Sequence, residues 1–377
     1  MKILILSITC GNGHNAIARA LKKEFDNTHQ VEIFDIFSQN PRLSIKEHNA
    51  YMWCLKNIPK TYNYFWNKLR NKNPKNRYSL INTSYIKKIY KFNVEKIKSF
   101  QPDAVVCTHN YASNLMCVMK MNNDYRGKIY SVLFDYVACP FWETSVLCDA
   151  IFTPDECTHA QLIKRGFAAS QLVPFGFPVA KEFELNLNKE EERKKLGFNK
   201  NDFVVMSMSG GFGQGNLLGI CKALKNLTKV GDKNIKIKIL CGKNEKKKKQ
   251  LDNFIKRNNI THIEALGFVS NVYSLMAASD LIFTRAGCNT LNEILHTGLV
   301  PVIREKLVTN ETINKKIFIE KNMAFGMDKL SDAPKILEFA VQNDKDIKLK
   351  QDNIKKFVKH NAGKNIAAYI LKHACQN

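Results

Sequence analysis

The sequence predicts an α/β protein of two Rossmann-like, doubly wound domains. Two observations point there. Short β-rich apolar runs alternate with helical patterns along the chain, and the first strand of each half is followed by a glycine turn, Gly11-Asn12-Gly13-His14 and then Ser209-Gly210-Gly211-Phe212-Gly213-Gln214-Gly215. Continuous apolar strands suit a parallel sheet covered on both faces. At 377 residues and 45% hydrophobic composition, the chain can bury two such cores.

The elements follow in order. Lys2–Ile8 (KILILSI) reads as the first strand, and Asn15–Phe25 as the helix that its glycine turn opens. A second strand, Val31–Phe34, ends at Asp35, and a basic aromatic segment then interrupts the alternation as an insertion. Strands resume at Ala104–Cys107, Ile129–Phe134, Ala150–Thr153 and Leu172–Phe175. The charged stretch Lys189–Lys200 (KEEERKKLGFNK) reads as a connecting helix and turn, giving domains 1–185 and 186–377, with the last helix free to pack back on the first. The second half repeats the plan with strands at Phe203–Met208, Ile235–Cys241, Ile263–Ala265, Leu281–Phe283 and Val300–Ile303. Two such halves would place a ligand at the carboxyl ends of their strands, in a central cleft.

Composition narrows the setting. No stretch approaches the roughly 20 consecutive apolar residues that cross a bilayer, and the opening MKILILSITCGNGH lacks the small-residue cleavage site of a signal peptide. A cytoplasmic protein is expected. Eleven cysteines without a CxxC pair and nine dispersed histidines suggest reduced thiols and no local metal site. The formal charge of +24 calls for an anionic partner. It is concentrated: residues 41–100 hold fourteen Lys or Arg against Glu47 and Glu95, half the chain's excess. Trp53, Phe65 and Trp66 lie among these cations, and aromatics so placed favour a membrane interface or a nucleic acid.

The glycine turns suit phosphate. At Gly13-His14 a strand feeds a helix, so free N–H groups and the helix dipole converge on phosphate or a developing oxyanion, unless the glycines only supply positive φ. The Ser209–Gly215 turn is denser, and without a Lys-Ser/Thr ending it suits a pyrophosphate held by backbone amides. Thr284-Arg285-Ala286-Gly287-Cys288-Asn289-Thr290-Leu291-Asn292-Glu293 opens a third helix, where Glu293 can accept ribose hydroxyls or simply offset the dipole.

At these residues the chain resembles the monogalactosyldiacylglycerol synthase and processive diacylglycerol glucosyltransferase family, and more distantly the peptidoglycan N-acetylglucosaminyltransferase. The resemblance runs through eight ordered blocks: SITCGNGHNAIARAL, PDAVVCTHN, FDYVACPFW, LVPFGFPVAKEF, SMSGGFGQG, KILCGKN, LGFVSNVYSLMAASD and FTRAGCNTLNEILHTGLVPVI. It implies a GT-B fold and inverting, metal-independent transfer of a hexose from a UDP-sugar to diacylglycerol. The first half would bind the lipid and the second UDP. Glu293 would hold the ribose, Asn289 and Thr290 the phosphates, Phe268 the uracil, and Gly210, Gly211 and Gly213 the pyrophosphate. Gly13 and His14 would face the reaction centre, with Gly287, Arg285, Asn310 and Glu311 on the donor. Asp135 and Trp142 fall on an acceptor-side motif.

The chain departs from that pattern at Cys139, where relatives carry His, at Ala180, where an Arg often stands, and at Val308-Thr309-Asn310-Glu311 in place of a proline-glycine-glutamine-glutamate run. Glucose and galactose therefore stay equally open. Inverting transfer needs a base and a stabiliser for departing UDP; Asp135 is favoured as base, with His14 orienting the acceptor. No cofactor is expected, since the UDP-sugar is a substrate. Anionic lipids are the expected partners of the basic segment, on the inner face of the membrane, and nucleic acid is not. The alternatives are N-acetylglucosaminyl transfer to a polyprenyl-pyrophosphate lipid, and a non-catalytic protein that binds a nucleotide sugar or nucleic acid.

Overall fold

The computed structural model describes residues 1–9, 13–71, 84–138, 142–211, 215–304 and 309–374. The chain divides into two compact units. The first comprises Met1–Lys181, Val308–Asn310 and Lys359–Asn377; the second comprises Glu182–Leu307 and Glu311–Val358.

In the first unit, strands β1 (Lys2–Ser7), β2 (Gln30–Asp35), β3 (Ala104–Cys107), β4 (Lys128–Val132), β5 (Ala150–Phe152) and β6 (Leu172–Val173) form one sheet. Their order is β2-β1-β3-β4-β5-β6, and every pairing is parallel. The apolar runs dictate this, because β1, β3, β4 and β5 are buried at almost every position, as strands covered on both faces must be. The order reverses direction between β1 and β3. At such a switch point the loops leaving the two strands diverge and open a crevice beyond their carboxyl ends.

Helix α1 (Gly13–Lys22) follows β1. The basic segment forms helices α2 (Pro41–Asn57), α3 (Pro59–Asn71) and α4 (Ser84–Phe100), with a proline opening each of the first two. Proline suits that position because its fixed φ is already helical and its missing N–H has no partner there to lose. Asn40 caps α2 by accepting from the Leu43 amide at 3.1 Å. Helices α5 (Asn110–Met121) and α6 (Glu156–Lys164) complete the crossovers.

The second unit begins with α7 (Lys189–Lys195), the expected connecting helix, so the units part at Lys181 and Glu182, ahead of it. Strands β7 (Asp202–Met208), β8 (Lys229–Val230), β9 (Lys233–Leu240), β10 (Ile263–Leu266), β11 (Leu281–Thr284), β12 (Val300–Arg304) and β13 (Phe325–Met327) alternate with helices α8 (Leu217–Leu224), α9 (Glu245–Arg257), α10 (Val272–Ala278), α11 (Cys288–Thr297), α12 (Thr309–Glu320), α13 (Ala333–Gln342) and α14 (Asp344–Phe357). The sheet order is β10-β9-β7-β11-β12-β13, with β8 antiparallel on β9, so this switch point lies between β7 and β11. Strands β8 and β13 were not legible as apolar runs: the first has two residues, and the second is centred on Gly326.

Arg193 of α7 fixes the foot of this sheet. It donates to the carbonyls of Ala278 at 3.0 Å and Asp202 at 3.2 Å and pairs with Asp280. Asp280 also accepts from the Val204 amide at 2.7 Å and from Lys189 at 2.6 Å. The last helix, α15 (Ala362–His373), belongs to the first unit, where Tyr369 packs edge-on against Tyr130 and Phe152. Gly176 admits this return: its φ is +99°, and a Cβ there would lie 2.7 Å from the Lys359 side chain.

Candidate functional site

Each switch point carries a cluster of polar groups at the carboxyl ends of its strands. In the first unit, His14 sits in the first turn of α1, is buried, and brings its Nδ1 to 2.6 Å from the Thr108 carbonyl just past β3. A carbonyl only accepts, so Nδ1 carries the proton and Nε2 keeps its lone pair. Burial pushes the imidazole down to about 4, against a smaller upward pull from the Thr108 bond, so it is neutral at pH 7. His109 packs edge-on to it with ring centroids 4.5 Å apart, and Phe134 does so from 4.2 Å. At the rim, Thr9 donates to Asp35 at the end of β2, and Asn15 donates to Thr9 at 3.1 Å. Asp135, three residues beyond β4, is buried and accepts from Asn310, which groups with this unit, at 3.3 Å.

In the second unit, β7 leads into Ser209-Gly210-Gly211. Gly210 takes φ +72°, a conformation that side chains disfavour. Gly211 presses against the turn after β9: its carbonyl accepts from the Lys243 amide at 3.1 Å, and a Cβ on Gly242 would stand 2.2 Å from that oxygen. Lys247 donates to the Gly215 carbonyl at 2.7 Å, and burial lowers its ammonium pKa. Gly213 lies outside the described residues.

Across the switch point, Gly287 caps α11 without any side-chain hydrogen bond. No side-chain cap covers the positive end of the α11 dipole, which suits an anion. Thr290 is buried in that turn, and the Oδ1 of Asn289 is buried without a partner among the described residues. Glu293 follows one turn on. Desolvation pushes its carboxyl up to about 8, and no described group bonds it. Arg285 donates to one oxygen of Glu311 through Nε at 3.2 Å and a terminal nitrogen at 2.8 Å. A pocket at the carboxyl ends of β7, β11 and β12 is lined by Ser207, Ser209, Thr284, Arg285 and Arg304. Phe268 is 62% exposed, with Lys243 Nζ 5.7 Å from its ring.

Two of the candidate acceptor or membrane aromatics are buried. Trp142 is 4% exposed and lies in the first unit's apolar core with Met116 and Cys148. Trp66 is 9% exposed, whereas its neighbours Tyr64 and Phe65 are 62% and 56% exposed. At about 100° per residue, Trp66 lies across α3 from Tyr64 and turns to the protein. Trp53 is exposed. Sequence reasoning passed over His109 and Arg304. The signal for His109 was its place directly after the β3 run, inside PDAVVCTHN.

Residues 13–179 match the monogalactosyldiacylglycerol (MGDG) synthase family, and residues 213–370 match the glycosyltransferase family 28 C-terminal domain. Over most of its length the chain resembles the MGDG synthases and processive diacylglycerol beta-glucosyltransferases. The chloroplastic MGDG synthase of Spinacia oleracea is 26% identical over 354 residues, covering 89% of this chain, and the chain spans 64% of that relative's length. The processive diacylglycerol beta-glucosyltransferase of Bacillus pumilus is 24% identical over 369 residues, covering 96% of this chain and 92% of its own. Among solved structures, Anabaena HepE in complex with UDP and glucose superposes with a TM-score of 0.57 at 15% identity, covering 99% of this chain and 100% of its own. The fold is GT-B. Among the described residues, no helix is long and apolar enough to cross a membrane, and no group of three or more His, Cys, Asp or Glu is disposed to hold a metal ion.

Proposed function

We propose that this protein is an inverting glycosyltransferase that moves glucose or galactose from its UDP-sugar to diacylglycerol. The observation that carries the donor half is Glu293: a desolvated carboxyl without a described partner, one turn inside a helix whose first-turn amides lack a side-chain cap. Leaving a desolvated carboxylate without a partner is costly unless a ligand's hydroxyls bond it. A ribose supplies two, and its diphosphate suits the amides of α11 and of the Gly210-Gly211 turn. Phe268 offers an exposed ring for the uracil. HepE is described in complex with UDP and glucose, and the named activity of the Bacillus relative supports diacylglycerol as acceptor. The match of residues 13–179 favours diacylglycerol over a polyprenyl-pyrophosphate lipid.

His14 is the better base. Its Thr108 bond holds the ring in the tautomer that exposes a lone pair on Nε2, whereas Asp135 already accepts from Asn310. The α11 dipole and Arg285 stabilise the departing diphosphate, and no cofactor or metal is assigned a step.

The acceptor arrives from a membrane that the basic helices dock on. Along α2, Arg42, Ile45, Lys46 and Trp53 recur at helical spacing and are exposed; along α3, Lys60, Tyr64, Phe65, Lys68 and Leu69 do the same. Each cation near an anionic surface contributes about 1 kcal/mol, and the aromatics add interfacial burial. The basic charge fits the anionic cytoplasmic leaflet.

The test is incubation with diacylglycerol and, separately, UDP-glucose, UDP-galactose and UDP-N-acetylglucosamine, with product masses read for each donor. A monohexosyl or dihexosyl diacylglycerol from one of the first two supports the reading. No glycolipid from any donor overturns it.

A further inference from the structure

The loop after β3 brings a second imidazole to the crevice at the end of β1. The Nδ1 of His109 accepts from the Tyr111 amide at 3.1 Å, capping α5, so the neutral ring carries its proton on Nε2. His14 has the opposite arrangement, with its proton on Nδ1 toward Thr108 and its lone pair on Nε2. Two backbone groups, one an acceptor and one a donor, thus set two adjacent rings in complementary tautomers, edge-on with centroids 4.5 Å apart. Both lie at the switch point of the first sheet, beyond the carboxyl ends of β1 and β3. Neither Nε2 has a described protein partner.

We infer that His109 and His14 form a two-imidazole clamp on one acceptor hydroxyl, His109 donating to its oxygen while His14 accepts its proton. The inference rests on the proposed transfer and names the group that holds the acceptor. A hydroxyl is the ligand that fits, because it is donor and acceptor at one atom. In the step, the hydroxyl proton passes to His14 Nε2, the oxygen's electron pair forms the bond to the anomeric carbon, and the bond from that carbon to the β-phosphate oxygen breaks, its electrons leaving with UDP. His109 gives up no proton. It fixes the direction of the attacking lone pair, and burial holds it neutral well below the ordinary histidine range, so it does not compete for the proton.

Two variants separate the clamp from the cap. Asparagine reproduces the Nδ1 position of His109 and glutamine the Nε2 position. With diacylglycerol and the active UDP-hexose, His109→Asn is expected to keep the wild-type melting temperature and donor KM while kcat falls about tenfold or more. His109→Gln should lose some stability and retain more kcat than the asparagine variant. Wild-type kcat in His109→Asn, or a greater loss in His109→Gln, overturns the clamp and leaves only a helix cap. Absence of transfer by the wild-type protein would overturn the functional reading instead. A second readout then tests the pair without substrate: nitrogen-15 imidazole spectra at pH 7 should show His14 protonated on Nδ1 and His109 on Nε2, and any other assignment rejects the clamp.

Discussion

Arg285 commits two of its nitrogens to a single oxygen of Glu311, at 2.8 and 3.2 Å. The ion pair is partly buried, so it holds the guanidinium in place beside the α11 N-terminus more firmly than an exposed pair would. It also divides that charge. Glu311→Gln should free the guanidinium for the diphosphate and tighten UDP binding severalfold, while Arg285→Ala should weaken it by about tenfold or more. Calorimetry on both variants tests the opposed signs; a shift in the same direction would show that the pair serves the fold and not the nucleotide.

Glu293 is mostly protonated at pH 7 in the unliganded protein, because burial raises its carboxyl to about 8. If ribose hydroxyls bond the ionised form, UDP binding releases a proton near neutrality and affinity rises with pH until about 8. Titrations in buffers of different ionisation enthalpy measure that proton. Glu293→Gln should release none and bind UDP more weakly.

His14 gives the fold an acid sensitivity. Its folded pKa of about 4 lies below the 6.5 of the unfolded chain, so between these values the unfolded state binds a proton that the folded state refuses. The stability is fully present above pH 6.5 and is lost as pH falls toward 4, at up to about 1.4 kcal/mol per pH unit. Urea unfolding of wild type and His14→Gln at pH 7, 6 and 5 should show the wild type losing its lead as the pH drops. The same substitution removes the proposed base, and turnover should fall about a hundredfold or more with UDP affinity unchanged.

Trp142 and Trp53 should behave as opposites. Trp142→Ala opens a cavity in the first core and is expected to cost about 3–5 kcal/mol. Trp53→Ser together with Phe65→Ser should leave the melting temperature nearly unchanged and weaken salt-sensitive sedimentation with anionic liposomes. Equal sedimentation would remove α2 and α3 from membrane docking.

Asp280→Ala strands the Arg193 guanidinium at 8% side-chain exposure and removes the acceptor of the Val204 amide. A loss of about 3–5 kcal/mol follows, read as a shift in denaturant midpoint.

The sheets were legible in the sequence because a strand buried on both faces leaves an uninterrupted apolar run, as in Val204, Val205 and Met206. The glycine turns were legible for a related reason, since Gly210 occupies a φ few other residues take. What the sequence concealed was phase. Tyr64, Phe65 and Trp66 are consecutive aromatics among lysines, and composition does not say which of the three turns inward; the packing of α3 decides. Trp142 reads as a functional aromatic until its burial against α5 is known. The tautomers of His14 and His109 depend on backbone groups of Thr108 and Tyr111, and for His14 the partner is ninety-four positions away, beyond any local pattern.

The return of α15 to the first unit bears on how the protein is made. A ribosome releases Met1–Lys181 early, yet the aromatic surface of Tyr130 and Phe152 stays uncovered until Tyr369 has emerged. Residues 182–358 can complete their own sheet while the older half of the nascent chain still waits for its final helix. A stalled or prematurely ended translation would leave that aromatic face open to aggregation in the half that was made first.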